Sequence, residues 1–429
     1  PIGGCLVSRF GWRQVMLWTV IGFAVSTTLC TTVDSLAELL IYRVLQGAFG
    51  APMMPVAQAI LLAAYPDEDR AWSQSLFGIV TVVGQAMAPV IGGYFAEVFD
   101  WRWAFYFLMP LSAIGIIMAF AWIPMGGKTS GSRLDWPGFL TLSVAIMGLQ
   151  LTVDRGERLD WFESREIILY TAGALFSFYL FLFRTFSYHD PYINPNLFRD
   201  KNFLLGLALI LLFGMINFIP MILYPTLLAN LKGYPESTIG WLLGMRGAGM
   251  LFGFYLGGKL GTRHPKVALI FGFSCVAISG AQTVLFDLNV RYNEVAWVSF
   301  LQGMGIGTLW VPIIMVTFSM LPSHLLAQGS AISHLVRHIA TSVFVALSVS
   351  VVVRTGTINY NELSAQITPF NEALREAGTW RLDTVADLAR LSIEIDRQAQ
   401  MIGYINAFVL YTAASVVALL ISLLVKVKS

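Results

Sequence analysis

The chemistry of this chain begins with charges placed in apolar surroundings. Arg43, Arg246 and Arg337 each stand inside a long apolar run, and His338 follows Arg337 directly. A cation at the centre of a membrane helix costs about 2.5–3.5 kcal/mol on insertion scales, so such a residue is a functional candidate with a partner. The amides Gln46, Gln85, Gln150, Asn217 and Gln302 and the indole of Trp310 also fall inside apolar runs. These side chains bind polar groups, and His338 can exchange a proton near neutral pH. Arg43 is read as a residue that senses the protonation of a carboxylate, and Arg246 as one that attracts an anionic or polar group. Each has a plainer alternative: an arginine bonded to backbone carbonyls, a cluster facing water for Arg337 and His338, and amides that tie helix to helix. His334, one turn nearer the run's end, reads as a solvated residue.

No Asp or Glu lies deep in an apolar run, and Glu38 and Asp154 come nearest. No histidine shares helical spacing with an acid inside a run, and no Gly-rich phosphate loop is present. Cys5, Cys30 and Cys275 lack metal-ligand spacing. The expectation is a protein that is not an enzyme and uses no cofactor and no metal.

The chain that carries these side chains has 429 residues in all, 56% hydrophobic and 12% charged, with net charge +2. Soluble domains carry roughly 25% charged residues. The composition therefore excludes a soluble multi-domain enzyme, a disordered chain and a nucleic-acid binder. A bilayer core of about 30 Å needs roughly 20 apolar residues per helix. Twelve such runs occur, near 15–33, 37–63, 75–97, 103–123, 137–153, 167–187, 203–228, 238–257, 267–286, 295–320, 331–353 and 402–425. They are too long and continuous for β-barrel strands. Short connections on one side hold thirteen Lys and Arg, against six on the other. The richer side is assigned to the cytoplasm, which places both ends of this chain there, in a plasma membrane (a bacterial inner membrane).

An internal repeat organises the runs. Gly3-Gly4-Cys5-Leu6-Val7-Ser8-Arg9 matches Gly257-Gly258-Lys259-Leu260-Gly261-Thr262-Arg263 at an offset of 254. Leu45-Gln46-Gly47 matches Leu301-Gln302-Gly303 at an offset of 256. Eight runs fit between equivalent points, two more than a six-helix half requires. The expected architecture is an all-α polytopic membrane protein of two pseudo-symmetric six-helix bundles in parallel orientation, with two inserted linker helices at 137–153 and 167–187. Such halves enclose a midplane cavity in secondary transporters. The expected division is 1–123 for a first bundle lacking its first helix and most of its second, 124–202 for the linker helices, and 203–429 for the second bundle. The last includes a long extracytoplasmic loop, 354–401, whose stretch 382–402 reads as an amphipathic surface helix.

Gly4-Cys5-Leu6-Val7-Ser8-Arg9-Phe10-Gly11-Trp12-Arg13 resembles the loop signature between helices two and three of the major facilitator superfamily, with Ser8 where that family usually has Asp. Leu39 to Gly47, with Arg43 and Gln46, resembles its fourth-helix signature. Gly84-Gln85-Ala86-Met87-Ala88-Pro89-Val90-Ile91-Gly92-Gly93 resembles its antiporter signature. Asp100 to Tyr106, Val153 to Phe162 and Gln398 to Tyr404 resemble stretches typical of the fourteen-helix drug:proton antiporters, the EmrB/QacA-like branch.

The resemblance implies a proton-coupled exporter of drugs or other amphiphilic small molecules working by alternating access, driven by the proton motive force. Its implied partners are substrate, protons and the lipid bilayer, with no nucleic acid. The amphipathic stretch 382–402 offers a docking face for the membrane surface or for a periplasmic adaptor protein, and its plainer reading is a lid resting on its own domain. Transport and proton coupling fall to Arg43, Gln46, Arg246 and His338, and the substrate cavity to Gln85, Asn217, Gln302, Trp310 and Arg337. Conformational motifs fall to Gly4, Arg9, Gly11, Arg13, Gly84, Pro89, Gly92, Gly93, Gly258 and Arg263. Two other readings compete: an uptake symporter for an organic anion, against which the antiporter signature counts, and a non-transporting sensor or enzyme.

Overall fold

Long apolar runs in lipid become helices because only a helix satisfies its own backbone there. The computed structural model describes residues 6–7, 9–66, 68–124, 135–188, 192–322, 325–368 and 385–424. Its α-helices are α1 (Trp12–Thr31), α2 (Leu36–Gly50), α3 (Met53–Ala64), α4 (Arg70–Val98), α5 (Trp103–Tyr106), α6 (Leu108–Trp122), α7 (Trp136–Gly156), α8 (Arg165–Ser187), α9 (Lys201–Asn230), α10 (Glu236–Arg263), α11 (Pro265–Val284), α12 (Tyr292–Phe318), α13 (Leu326–Ala365) and α14 (Val385–Leu424). Among the described residues, eleven spans are long and apolar enough to cross a bilayer, with α2 and α3 joined as one and α5 and α6 as another. The 29-residue α4, with its shorter apolar stretch Trp72–Gly84, brings the helices to the expected twelve.

Local sequence sets the ends. Ser35 caps α2, Asp135 caps α7 and Asp200 caps α9, each through its side-chain oxygen. Ala51 and Pro52 divide α2 from α3, because proline withholds a donor.

Eight spans separate Arg9 from Arg263, so both lie at one end of the bundle. Arg13, Arg70, Arg184, Lys259 and Lys266 gather at that same basic end. The helices α7 and α8 form a hairpin pinned at both ends. Arg184 reaches the buried carboxylate of Asp135 at 2.6 Å, and Arg155 reaches Glu166 at 2.5 Å. The hairpin packs on the second half through Leu142, Phe181, Phe203, Phe318 and Ile332.

In the second half, α10 and α12 approach until backbones touch. A Cβ on Gly253 would collide with the Met304 carbonyl, and one on Gly307 with that of Met250. Small residues at four-residue spacing allow this approach without a hydrophobic driving force in lipid.

The two halves meet at the basic end. Ser75 on α4 donates to the Phe254 carbonyl on α10 at 2.7 Å. Ser330 on α13 donates to the Pro55 carbonyl and to Gln58 Oε1 on α3, at 3.1 and 2.9 Å. Further from that end, a Cβ on Gly84 or Gly92 of α4, or on Gly240 or Gly247 of α10, would meet no described atom within 4 Å.

The expected loop 354–401 is corrected. Helix α13 runs to Ala365 and α14 starts at Val385, each 40 residues long. The stretch 382–402 is accordingly not a separate surface helix. From Val385 it is the first part of α14, with Leu391 and Ala399 buried. Polar residues after Val353 mark the edge of the apolar zone, which is not where hydrogen bonding along the helix stops.

Candidate functional site

A narrow cavity of about 10 Å³ lies where the halves meet, lined by Gln58 from the first half and by Ile210, Phe213, Trp310, Ile313, Ile314, Ser333, His334 and Arg337 from the second. It has room for about one water, far below the roughly 300 Å³ at which pockets for drug-sized ligands begin. Gln58 and Gln74 are fully buried and bonded to each other at 3.2 Å. His334 lies 2.8 Å from Gln58 Oε1 and donates to it through Nε2. Arg337 Nη2 donates to His334 Nδ1 and to His338 Nε2, both at 3.1 Å. An arginine only donates, so His334 Nδ1 accepts and its proton sits on Nε2. The Arg337 guanidinium also lies 5.7 Å from the Trp310 ring centre.

His334 is therefore not a solvated end residue: it is buried. Its distance from the helix end said nothing of α3, which covers it. Arg337 is buried as well, against the reading of a water-facing cluster, while His338 is exposed.

Arg246 occupies a different interior, within the second half. Its Nε donates to Gln302 Oε1 at 2.6 Å, and Nη2 donates to the Asn217 carbonyl and side-chain oxygen at 2.7 and 2.8 Å. Three residues chosen singly from the sequence thus form one network joining α9, α10 and α12. Neither Arg246, Asn217 nor Gln302 lines the cavity; Trp310 and Arg337 do.

In the first half, Arg43 donates to Gln46 Oε1 at 2.9 Å, and buried Gln46 donates to Thr27 at 2.7 Å. Arg43 is exposed, 5.5 Å from the Phe105 ring centre. Glu38 serves the start of α2, accepting from the Asp34 amide at 3.2 Å, and Asp154 accepts from Gln150 on α7 at 2.8 Å. Neither acid lines the cavity.

Among the conformational motifs, Gly11 holds φ of 89°, which a side chain would strain. Arg13 donates to the Phe120 carbonyl at the end of α6. Arg9 and Arg263 are exposed, and Gly258 packs against Ser75 and Trp72. Gly4 lies outside the described residues, as do the side chains of Gln85 and Pro89 and the surroundings of Gly93. No group of three metal-ligating residues occurs among the described residues.

Sequence reasoning missed Gln58, Gln74, Ser330 and Ser333. The only signal was amides and hydroxyls within otherwise apolar stretches, and it does not say which face meets the other half.

A family model described as Major Facilitator Superfamily matches residues 1–345. The multidrug export protein EmrB of Escherichia coli K12 is 28% identical over 374 residues, covering 86% of this chain and 73% of that protein. The fatty acid resistance protein FarB of Neisseria gonorrhoeae is 27% identical over 411 residues, covering 95% and 78%. The human organic anion transporter MFSD10 superposes with a TM-score of 0.59 at 13% identity, covering 97% and 79%, a likeness of fold alone.

Proposed function

This chain belongs to the Major Facilitator Superfamily, and from that premise we propose that it is a proton-coupled exporter of amphiphilic small molecules working by alternating access. The observation that carries the reading is the junction between halves. It is joined at the basic end through Ser75, Gln58, Ser330 and His334, and a cavity lined by both halves sits at the join. Rocking about a central site requires one end to close, and these contacts close the basic end. Relatives named for export and resistance, EmrB and FarB, favour outward transport over uptake.

The basic end faces the cytoplasm of a bacterial inner membrane in this reading, and the contacts between the halves close that side. The proton motive force is the energy source. His334 and His338 are the titratable groups that the geometry offers. Protonating His334 converts Nδ1 from acceptor to donor beside a guanidinium. The two donors then oppose each other within α13, while Nε2 keeps its proton and its bond to Gln58 Oε1 on α3. Arg43 keeps its place as a coupling residue through Gln46. Arg246, with Asn217 and Gln302, holds the second half in shape around the site. A periplasmic adaptor is the partner, met at the far ends of α13 and α14.

The test is transport by the purified chain in proteoliposomes under an imposed pH gradient. Outward movement of an amphiphile that collapses with a protonophore supports the reading. Equal movement without the gradient rejects proton coupling, and gradient-driven accumulation in the opposite direction rejects export.

A further inference from the structure

Three hydrogen-bond donors on residues that line the cavity at the join have no acceptor among the described residues: Arg337 Nε, Trp310 Nε1 and the Ser333 hydroxyl. Arg337 and Ser333 are more than nine-tenths buried. We propose that this water-sized cavity binds a monatomic anion, chloride, which supplies the counter-charge of Arg337. The proposal concerns the joint between the halves and holds whichever way substrate moves.

Size selects first. With room for about one water, the space excludes carboxylates, phosphate, sulfate and any amphiphile, and among anions it leaves the monatomic ones. Charge selects next. The guanidinium of Arg246 meets three oxygen acceptors, and its network is complete without a ligand. Arg337 meets only two imidazole nitrogens, and the salt bridges among the described residues do not include it. The Trp310 ring beside it, at 5.7 Å, offers a quadrupole and no net charge. A buried cation ordinarily has a charged or strongly accepting partner.

Hydrogen bonding decides between an anion and a water. A water has two lone pairs for three donors, and its own two hydrogens need acceptors. Gln58 Oε1 already accepts from Ser330 and His334, which uses both its lone pairs. His334 Nδ1 accepts from Arg337, and a guanidinium or an indole only donates. The Ser333 oxygen is the one acceptor left among the lining side chains. A chloride accepts from all three donors, needs no acceptor of its own and balances the charge. The apolar walls, Ile210, Phe213, Ile313 and Ile314, strengthen that attraction by keeping the dielectric low.

The experiment is thermal unfolding of the purified full chain in detergent at neutral pH, with chloride replacing gluconate at fixed ionic strength. Bromide and acetate are titrated in the same way, one a second monatomic anion and the other a larger anion of equal charge. The expected result is a saturable rise in melting temperature of about 1–4 °C with chloride and with bromide, and none with acetate. Arg337→Gln should raise the chloride concentration at half the rise about tenfold or more. Ser333→Ala and Trp310→Phe, each removing a single donor, should raise it about twofold to fivefold. Those two variants stand as the test where Arg337→Gln does not elute as a folded monodisperse protein. A melting temperature indifferent to chloride overturns the proposal, since a water then suffices. An equal rise with acetate, or an unchanged chloride dependence in the variants, marks a general salt effect and overturns it as well. Gradient-driven efflux by a protein whose melting ignores chloride overturns this proposal alone and leaves the export reading in place.

Discussion

Gln46 and Gln302, 256 positions apart, each offer Oε1 to an arginine, at 2.9 Å from Arg43 and 2.6 Å from Arg246. The amide is the part of the repeat that both halves keep. The arginines come from different places, one from a turn earlier on the same helix and one from the neighbouring helix. The first is exposed and the second buried, which separates their consequences.

Arg246→Met should destabilise the fold, by about 1–3 kcal/mol for each acceptor left without its donor. Thermal unfolding in detergent measures it, and a melting temperature equal to that of the unsubstituted protein would refute the structural role. Arg43→Ala should melt with the unsubstituted protein and insert normally, yet lose proton-driven efflux in proteoliposomes. Unchanged transport removes Arg43 from the mechanism.

Ser75→Cys with Gly258→Cys should form a disulfide across the two halves. A Cβ on Gly258 would lie 3.2 Å from the Ser75 Cβ, close to the roughly 3.5–4.5 Å that disulfides adopt. Oxidation should stop transport and a reductant should restore it. Full transport by the oxidised protein would mean that the basic end never opens.

Gly307→Ala should destabilise by about 1–3 kcal/mol, because its methyl meets the Met250 carbonyl and separates α10 from α12. Gly47→Ala, with no described atom within 4 Å, should be neutral or stabilise by up to about 1 kcal/mol through helix propensity. Melting temperatures of the two variants decide, and equal losses would contradict the close packing.

Asp135→Asn should loosen one end of the α7–α8 hairpin, since the carboxylate loses its charge opposite Arg184 and keeps only the amide contact to Gly138. Faster hydrogen exchange in the first turns of α7, with α12 unaffected, is the expected pattern. Unaltered exchange would show that packing alone holds the hairpin.

Much of the scaffold is legible in the sequence. The twelve apolar runs and the placing of Arg9 and Arg263 on one face follow from run length and from counting crossings. Arg246, Asn217 and Gln302 were each visible as polar groups in apolar stretches. Their union was not, because it depends on the rotation of α9, α10 and α12 about their own axes. Gln58 and His334 were harder still. Each belongs to a different half, and neither carries a mark of its partner. Asp135 escaped notice because it precedes the first apolar residue of its run and looks like a loop acid until Arg184 folds back on it. The extent of α13 and α14 was misjudged for a related reason. Hydropathy reports which solvent surrounds a helix, and the hydrogen-bonded ladder continues where that solvent changes.

That continuity has a mechanical result. From Arg337 to Ala365 the backbone of α13 is one unbroken rod about 42 Å long, braced by α14, where Gly403 lies against the Val352 carbonyl and Tyr360 bonds Ser392 at 3.0 Å. A rod that pivots near its inner end magnifies small displacements at its outer end. Shifts of a side chain's width around the cavity therefore become visible swings well outside the lipid, and a grip on the outer tip becomes leverage on the guanidinium.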